Sequence, residues 1–298
     1  MQASIAWGRW RGSRRGRCSN GLPGGSFLGR SQDMARPLFV VSAPRSGSTF
    51  SVQLLNAHAR VKLVNELNFV PYLRRMFLLA STPAGEQITD HQGFETPAIM
   101  TARYAWDFAH AFLDSMQPFI EDLFDRVAGG VQDAAFYGDK VTSVPDLQFL
   151  IERFPEPAFV QLIRDPRDVI ASTFAFQKKQ AMHWDASTFE TRVEHLARFL
   201  DESDRLLEGR ETHRVRYEDL VKAPKQHARE IFDFLGLDLS TDVESYLKGA
   251  ADELFESHGT SRSPAQSIGR WRRDFTPEQQ DQANAGLAQQ LKRLGYQG

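Results

Sequence analysis

Cysteine is almost absent from this chain: Cys18 is the sole example in 298 residues. That excludes an intramolecular disulfide framework and any multi-cysteine metal cluster. Net charge is nearly absent too, with 36 Lys+Arg against 38 Asp+Glu giving −2. Such a balance argues against a protein whose main task is to coat nucleic acid or an anionic membrane. No apolar run approaches the roughly 18 residues that a bilayer-spanning helix needs; the stretch from Phe69 to Ala80 is broken by Arg74 and Arg75. Histidines and carboxylates are scattered without zinc-type spacing. What the chain does have is length and 41% hydrophobic content, enough to bury a sizeable core.

Acidic residues are scarce in the first 35 positions, which hold six arginines (Arg9, Arg11, Arg14, Arg15, Arg17, Arg30) and only Asp33. The rest keeps 30 basic and 37 acidic residues, a formal −7. The leader is rich in Arg, Gly and Ser, with no helical apolar stripe and no hydrophobic region of the secretory kind, so it is expected to be disordered. Two explanations stand: an organellar transit peptide, or a stretch upstream of a start at Met34. The expected organisation is a basic leader over residues 1–35 and one folded domain over 36–298. The cytoplasm is the expected location, with organellar import through the leader as the alternative.

Beyond the leader, short apolar runs alternate with helical patterns. Pro37 to Ser42 reads as a strand, followed by a Pro/Gly/Ser loop and a helix from about Ser48 to His58. Similar runs recur at Val61–Val64, Ala134–Tyr137, Ala158–Ile163 and His213–Tyr217. Uninterrupted apolar runs suit a sheet covered on both faces, so the expected fold is α/β, a central parallel sheet flanked by helices. Long helices are expected around Thr101–Val127, Ser187–Leu207, Lys225–Leu235 and Pro277–Leu294.

The first chemical motif is Ser42-Ala-Pro-Arg-Ser-Gly-Ser-Thr49. Small residues between a buried strand and a helix N-terminus turn backbone N–H groups and the positive end of the helix dipole into one cavity, which suits phosphate or sulfate. Against the nucleoside-triphosphatase loop, Gly47 and Thr49 fit, but Ser42 stands at the first glycine and Ser48 at the lysine. Arg45 supplies a fork of donors in mid-loop instead. In the second motif, Phe159 to Ser172, an apolar strand ends at Arg164. Asp165 can cap the following helix, Pro166 fits its first position and Asp168 favours its first turn. Ser172 follows Asp165 by about two turns, so its hydroxyl faces the same end of the sheet as Arg164.

Pro44-Arg-Ser-Gly-Ser-Thr49 after a hydrophobic strand resembles the 5′-phosphosulfate loop of sulfotransferases that use 3′-phosphoadenosine 5′-phosphosulfate (PAPS). The strand-end arginine with a helix serine is similar to the same family's 3′-phosphate motif. The resemblance implies a P-loop-like sulfotransferase fold. It also implies that Arg45, Ser46, Gly47, Ser48 and Thr49 hold the phosphosulfate, and that Arg164 and Ser172 hold the 3′-phosphate. Val215-Arg-Tyr-Glu-Asp-Leu220 is similar to a strand-end segment of the family that brings a tyrosine, here Tyr217, near the nucleotide; alone it reads equally as a packed tyrosine with a helix cap. Ser267-Ile-Gly-Arg-Trp271 resembles a C-terminal segment whose basic residue, here Arg270, clamps the cofactor phosphate. A solvated basic run with Arg272 and Arg273 is the competing reading.

Sulfuryl transfer needs a base for the acceptor proton and a cation for the departing oxygen. Val61 to Glu66 reads as a strand running toward the loop that carries Arg45. In the protein-tyrosine and several bacterial sulfotransferases a glutamate 21 residues after the loop arginine is the base, and Glu66 stands 21 residues after Arg45. The cytosolic branch uses a Lys-x-His segment, and Gly138-Asp-Lys-Val-Thr142 has no histidine there. Lys140, expected just beyond the strand Ala134–Tyr137, falls where related enzymes keep a lysine near the bridging oxygen. His58 and His183 are the rival bases, His58 reading rather as a helix-end partner. The implied donor is PAPS, leaving 3′-phosphoadenosine 5′-phosphate (PAP), with no metal; the partner is a hydroxyl or amine acceptor, with no nucleic acid. Aromatics between Tyr72 and Val131 suit either an acceptor pocket or a helical core. A P-loop kinase and a non-catalytic nucleotide-binding protein are the alternatives.

Overall fold

The computed structural model describes residues 35–64, 69–81, 87–89, 95–97, 111, 115, 133–154, 156–180, 188–249, 260–261 and 263–296. All of them belong to one compact unit, Met34–Gly298. Its frame is a parallel sheet of β1 (Arg36–Val41), β2 (Val61–Val64), β5 (Phe136–Val141), β6 (Ala158–Ile163) and β7 (Thr212–Arg216), in the order β2-β5-β1-β6-β7. Between β2 and β5 lie helix α2 (Phe69–Ser81) and a small antiparallel pair, β3 (Gln87–Thr89) with β4 (Glu95–Pro97).

The apolar pattern of β1 explains its central place. Leu38 and Val40 point into one core layer, with α1 (Ser48–Asn56), α7 (Pro224–Phe234) and α8 (Thr241–Lys248). Phe39 and Val41 point into the opposite layer, with α3 (Val144–Arg153) and the end of α5 (Phe189–Leu207). All four side chains are fully buried, and each such burial contributes about 1.5–3 kcal/mol. A third cluster joins α4 (Pro166–Gln180) and α5 to the C-terminal helices α9 (Trp271–Asp274), α10 (Pro277–Gly286) and α11 (Ala288–Arg293). The remaining helix, α6 (Tyr217–Lys222), follows β7 directly.

Three expectations need correction. The strand read as Ala134–Tyr137 runs from Phe136 to Val141, so Lys140 lies inside it, paired in register with Val40. At Gly138, inside this strand, a Cβ would stand 1.8 Å from the Leu38 carbonyl oxygen. The glycine is what lets β5 pair closely with β1. The buried Asp139 carboxylate accepts the Lys140 backbone N–H at 2.6 Å near the strand's end. Tyr217 opens α6 instead of ending the strand, because β7 stops at Arg216. Pro277–Leu294 forms two helices that part at Leu287, where the chain presses on α5: a Cβ on Gly286 would lie 2.5 Å from Val193 Cγ1. The helix expected at Thr101–Val127 lies outside the described residues, except Ala111 and Ser115.

Candidate active site

The strand order decides where a ligand can sit. The helix after β1 packs on one face of the sheet, whereas α5, reached from β6, packs its end on the other. The carboxyl ends of the neighbours β1 and β6 therefore flank a topological switch point, the crevice in which open α/β sheets bind ligands. The loop after β1 and the segment after β6 are the two motifs singled out in the sequence.

Ser42 N–H donates to the Val141 carbonyl at 3.1 Å, tying the start of the loop to β5. Arg45 and Gly47 both have left-handed backbones, with φ 69° and 95°. At Gly47 a Cβ would also meet the Tyr217 ring at 2.6 Å, so glycine is required twice over. Gly47 caps α1 without any side-chain hydrogen bond. The first-turn N–H groups of α1 thus receive no side-chain cap, the arrangement that takes an oxyanion. Ser46 and Ser48 are buried in this loop, and Thr49 is half-buried. The Arg45 guanidinium lies 4.1 Å over the Phe176 ring of α4.

The segment after β6 reaches this loop through Arg164. Buried at 5% exposure, it donates from Nη1 to the Arg45 carbonyl at 2.9 Å and from Nη2 to the Ser267 carbonyl at 2.6 Å. Its guanidinium sits 4.6 Å over the Tyr217 ring, and its buried Nε has no hydrogen-bond partner among the described residues. A buried donor left over beside a loop of N–H groups fits a phosphate oxygen. Tyr217 completes the bridge, its hydroxyl 2.9 Å from Ser267 Oγ. The Ser172 hydroxyl is 3.1 Å from Thr260 Oγ1, and Thr260 Oγ1 in turn accepts from Arg270 Nη1. Arg270 is 4% exposed and paired with Asp274 at 2.6 Å, while Arg272 and Arg273 are exposed. It is a buried residue and not part of a solvated run.

Behind this cluster a polar network holds the strand end. Asp165 caps α4 through the Arg167 N–H at 3.0 Å and pairs with the Arg167 guanidinium at 3.0 and 2.8 Å. Arg167 is buried 4.0 Å over the Trp271 ring and donates to Asn284 at 2.8 Å. Glu218 accepts the Asp165 N–H and the Tyr296 hydroxyl, both at 2.8 Å. Burial, with Glu218 beside it, pushes the Tyr296 phenol above its usual range, so it stays the donor. A charged pair buried this deeply holds only because each partner is also hydrogen-bonded.

Strand alternation places Lys140 on the α1 side of the sheet, near the carboxyl end of β5 and next to β1. His58 lies at the other end of α1, about 13 Å of helix from the loop. Its Nδ1 accepts the Arg60 N–H at 3.1 Å and its ring packs on Phe232, so it is a turn and core residue. Burial, then Arg60, lowers its pKa. Glu66 and His183 lie outside the described residues, as does most of Tyr72–Val131; Tyr72 itself is exposed.

Sequence reasoning missed Thr260, Ser267, Phe176 and the use made of Asp168, whose carboxylate receives the N–H groups of Gly269 and Trp271. No local spacing signals these contacts, because their partners are far apart in the chain. Among the described residues there is no group of three or more His, Cys, Asp or Glu able to hold a metal ion. No helix among them is long and apolar enough to cross a membrane.

Comparison with known proteins agrees with this architecture. Carbohydrate sulfotransferase 3 of Homo sapiens is 31% identical over 184 residues, covering 53% of this chain and 38% of its own length. Omega-hydroxy-beta-dihydromenaquinone-9 sulfotransferase Stf3 of Mycobacterium bovis is 32% identical over 111 residues, covering 34% of this chain and 28% of its own. The chain thus spans less than half the length of these curated relatives. The solved sulfotransferase domain from the curacin biosynthetic pathway shares the fold, with a TM-score of 0.56 at 17% identity over 89% of this chain and 99% of that one. The model of the sulfotransferase family matches residues 37–241, which take in the loop after β1 and the Arg164–Ser172 segment beside it. On that match the chain belongs to the sulfotransferase family.

Proposed function

We propose that residues 36–298 form a sulfotransferase domain, working in the cytoplasm, that moves a sulfuryl group from PAPS to a hydroxyl or amine acceptor by in-line displacement. The observation that carries this reading is the bridge made by Arg164, which joins the loop carbonyl of Arg45 to the C-terminal carbonyl of Ser267. One buried guanidinium thereby sits between a loop suited to the 5′-phosphosulfate and a cluster suited to the 3′-phosphate. Arg45, Ser46, Gly47, Ser48 and Thr49 hold the phosphosulfate; Arg164, Ser172 and Arg270 hold the 3′-phosphate, with Tyr217 packed between the two.

Glu66 takes the acceptor proton as the acceptor oxygen or nitrogen bonds to sulfur. The bond from sulfur to the bridging oxygen breaks in the same step, and its electron pair stays on that oxygen. Lys140 and Arg45 offset the charge that develops there. The chain's own cations supply this stabilisation. Relatives named for carbohydrate and hydroxylated menaquinone substrates support a hydroxyl acceptor.

Calorimetric titration of the purified chain with PAP, with AMP and Mg-ATP as controls, tests the reading. Micromolar binding of PAP, at least about tenfold tighter than AMP, is expected. Preference for Mg-ATP would favour a kinase, and binding of PAP without turnover on any acceptor would favour a nucleotide-binding protein.

A further inference from the structure

Asp168 is fully buried in the first turn of α4, between Arg164 and Ser172. An acid at that position ordinarily serves its own helix, but α4 is already capped by Asp165. The Asp168 oxygens go elsewhere: Oδ2 accepts the Gly269 N–H at 2.7 Å and Oδ1 the Trp271 N–H at 3.0 Å. These two donors flank Arg270. The carboxylate therefore grips the backbone on both sides of one residue, across 101 and 103 positions of chain.

We propose that Asp168 is a positioning residue that gives the site its preference for a 3′-phosphate by fixing Arg270 against Ser172. The inference rests on the reading of Arg164, Ser172 and Arg270 as the 3′-phosphate site. Three contacts hold the Arg270 guanidinium and its backbone: Asp274 at Nε and Nη2, Thr260 at Nη1, and Asp168 at the two adjoining amides. Asp274 is only four residues away on the same short helix and moves with Arg270. Asp168 ties the backbone of this unit to α4, the helix that carries Ser172, beside the Arg167 guanidinium of the same helix stacked on Trp271. Burial raises the Asp168 carboxyl to about pH 6, so the fold accepts a desolvation cost at a position where its helix needs no further cap.

The test is the ratio of the AMP and PAP dissociation constants, measured by calorimetry on the full chain and on Asp168→Asn. The amide keeps the shape but offers one acceptor where two N–H groups point. Asp168→Asn is expected to cut the ratio by at least about fivefold while AMP binding changes less than twofold. Hydrogen exchange at the Gly269 and Trp271 amides should quicken in parallel. On an Arg270→Ala background the same substitution should cost no further discrimination, because the effect passes through Arg270.

A ratio unchanged by Asp168→Asn overturns the proposal, as does an equal loss of AMP and PAP affinity, which is what a merely structural role gives. If the unaltered chain does not discriminate PAP from AMP, the 3′-phosphate reading itself fails and this inference with it. Should Asp168→Asn not fold, Asp168→Glu, which keeps the charge and lengthens the arm, carries the same expectation.

Discussion

The two halves of the proposed cradle are built by different means. The 5′ half is local: β1, its loop and α1 follow one another between Arg36 and Asn56, and the loop needs only a buried strand, small residues and Gly47. The 3′ half is assembled across the chain, with Arg164 reaching Arg45 and Ser267 over 119 and 103 positions and Ser172 reaching Thr260 over 88. The first forms wherever its strand is buried; the second exists only once the C-terminal segment has folded back on α4. Substitutions in the local half, and at Glu66 and Lys140, which are assigned to the transfer step, should therefore strike chemistry, and substitutions in the long-range half should strike affinity for the donor.

The largest expected effect is Glu66→Gln, which should lower kcat by about 10²- to 10⁴-fold, the range of a lost general base. PAP affinity should be kept; a folded variant with full activity removes the assignment. Lys140→Ala follows, with kcat down about 10²- to 10³-fold, the scale of one transition-state donor. Steady-state kinetics with saturating donor checks both. Arg164→Ala should instead raise the KM for PAPS by about 10- to 100-fold with a smaller change in kcat, since it removes charge-assisted bonds made in ground and transition states alike. An unchanged KM would contradict its role and blur the distinction between the halves.

How much could be read in the sequence follows the same division. β1 and β6 were legible to within a residue because uninterrupted apolar runs admit few other structures. β5 was read short, since Gly138-Asp139-Lys140 has the composition of a turn and only its pairing with Leu38 and Val40 makes it a strand. The form of the loop, a tight turn of small residues opening into α1, was legible on local grounds. Spacing put Arg164 and Ser172 at one end of the sheet and resemblance to a family gave them a role, whereas Arg270 was marked through the resemblance alone and no spacing or periodicity could bring it to them. Thr260 carried no signal, Ser267 was marked only as the first residue of the segment that carries Arg270, and Asp168 was read as an ordinary first-turn acid. Its two acceptor bonds depend on where a segment a hundred residues away comes to rest.

The buried acid makes the long-range half sensitive to pH in a defined direction. Asp168 has its carboxyl raised to about 6 by burial, against an ordinary value of 3.8. Below about pH 4 it is protonated in both folded and unfolded chains, and its contribution to stability is complete. Between pH 4 and 6 the unfolded chain ionises while the folded one holds its proton, so stability falls as pH rises, by on the order of 2–3 kcal/mol in all. Asp168→Asn removes this titration. Denaturant unfolding at pH 4.5 and 7 should show the advantage of the unaltered chain over the variant shrinking toward pH 7. An advantage that stays constant, or grows, would mean that the carboxylate is not desolvated.

The smallest effect tests the join between the halves. Tyr217 packs its ring against Gly47 on one side and Arg164 on another, and its hydroxyl meets Ser267. Tyr217→Phe keeps the ring contacts and deletes one neutral hydrogen bond, which is worth about 1 kcal/mol. The expected result is a fall of about 2–4 °C in Tm and a change in PAP affinity of less than about fivefold. Ser267 keeps its own bond to the Pro264 carbonyl at 2.6 Å, so the segment does not come loose. A loss of PAP affinity well beyond tenfold, with Tm hardly changed, would mean that the hydroxyl touches the nucleotide directly. Tyr217 would then belong to the binding surface and not only to the packing that joins the local half to the long-range one.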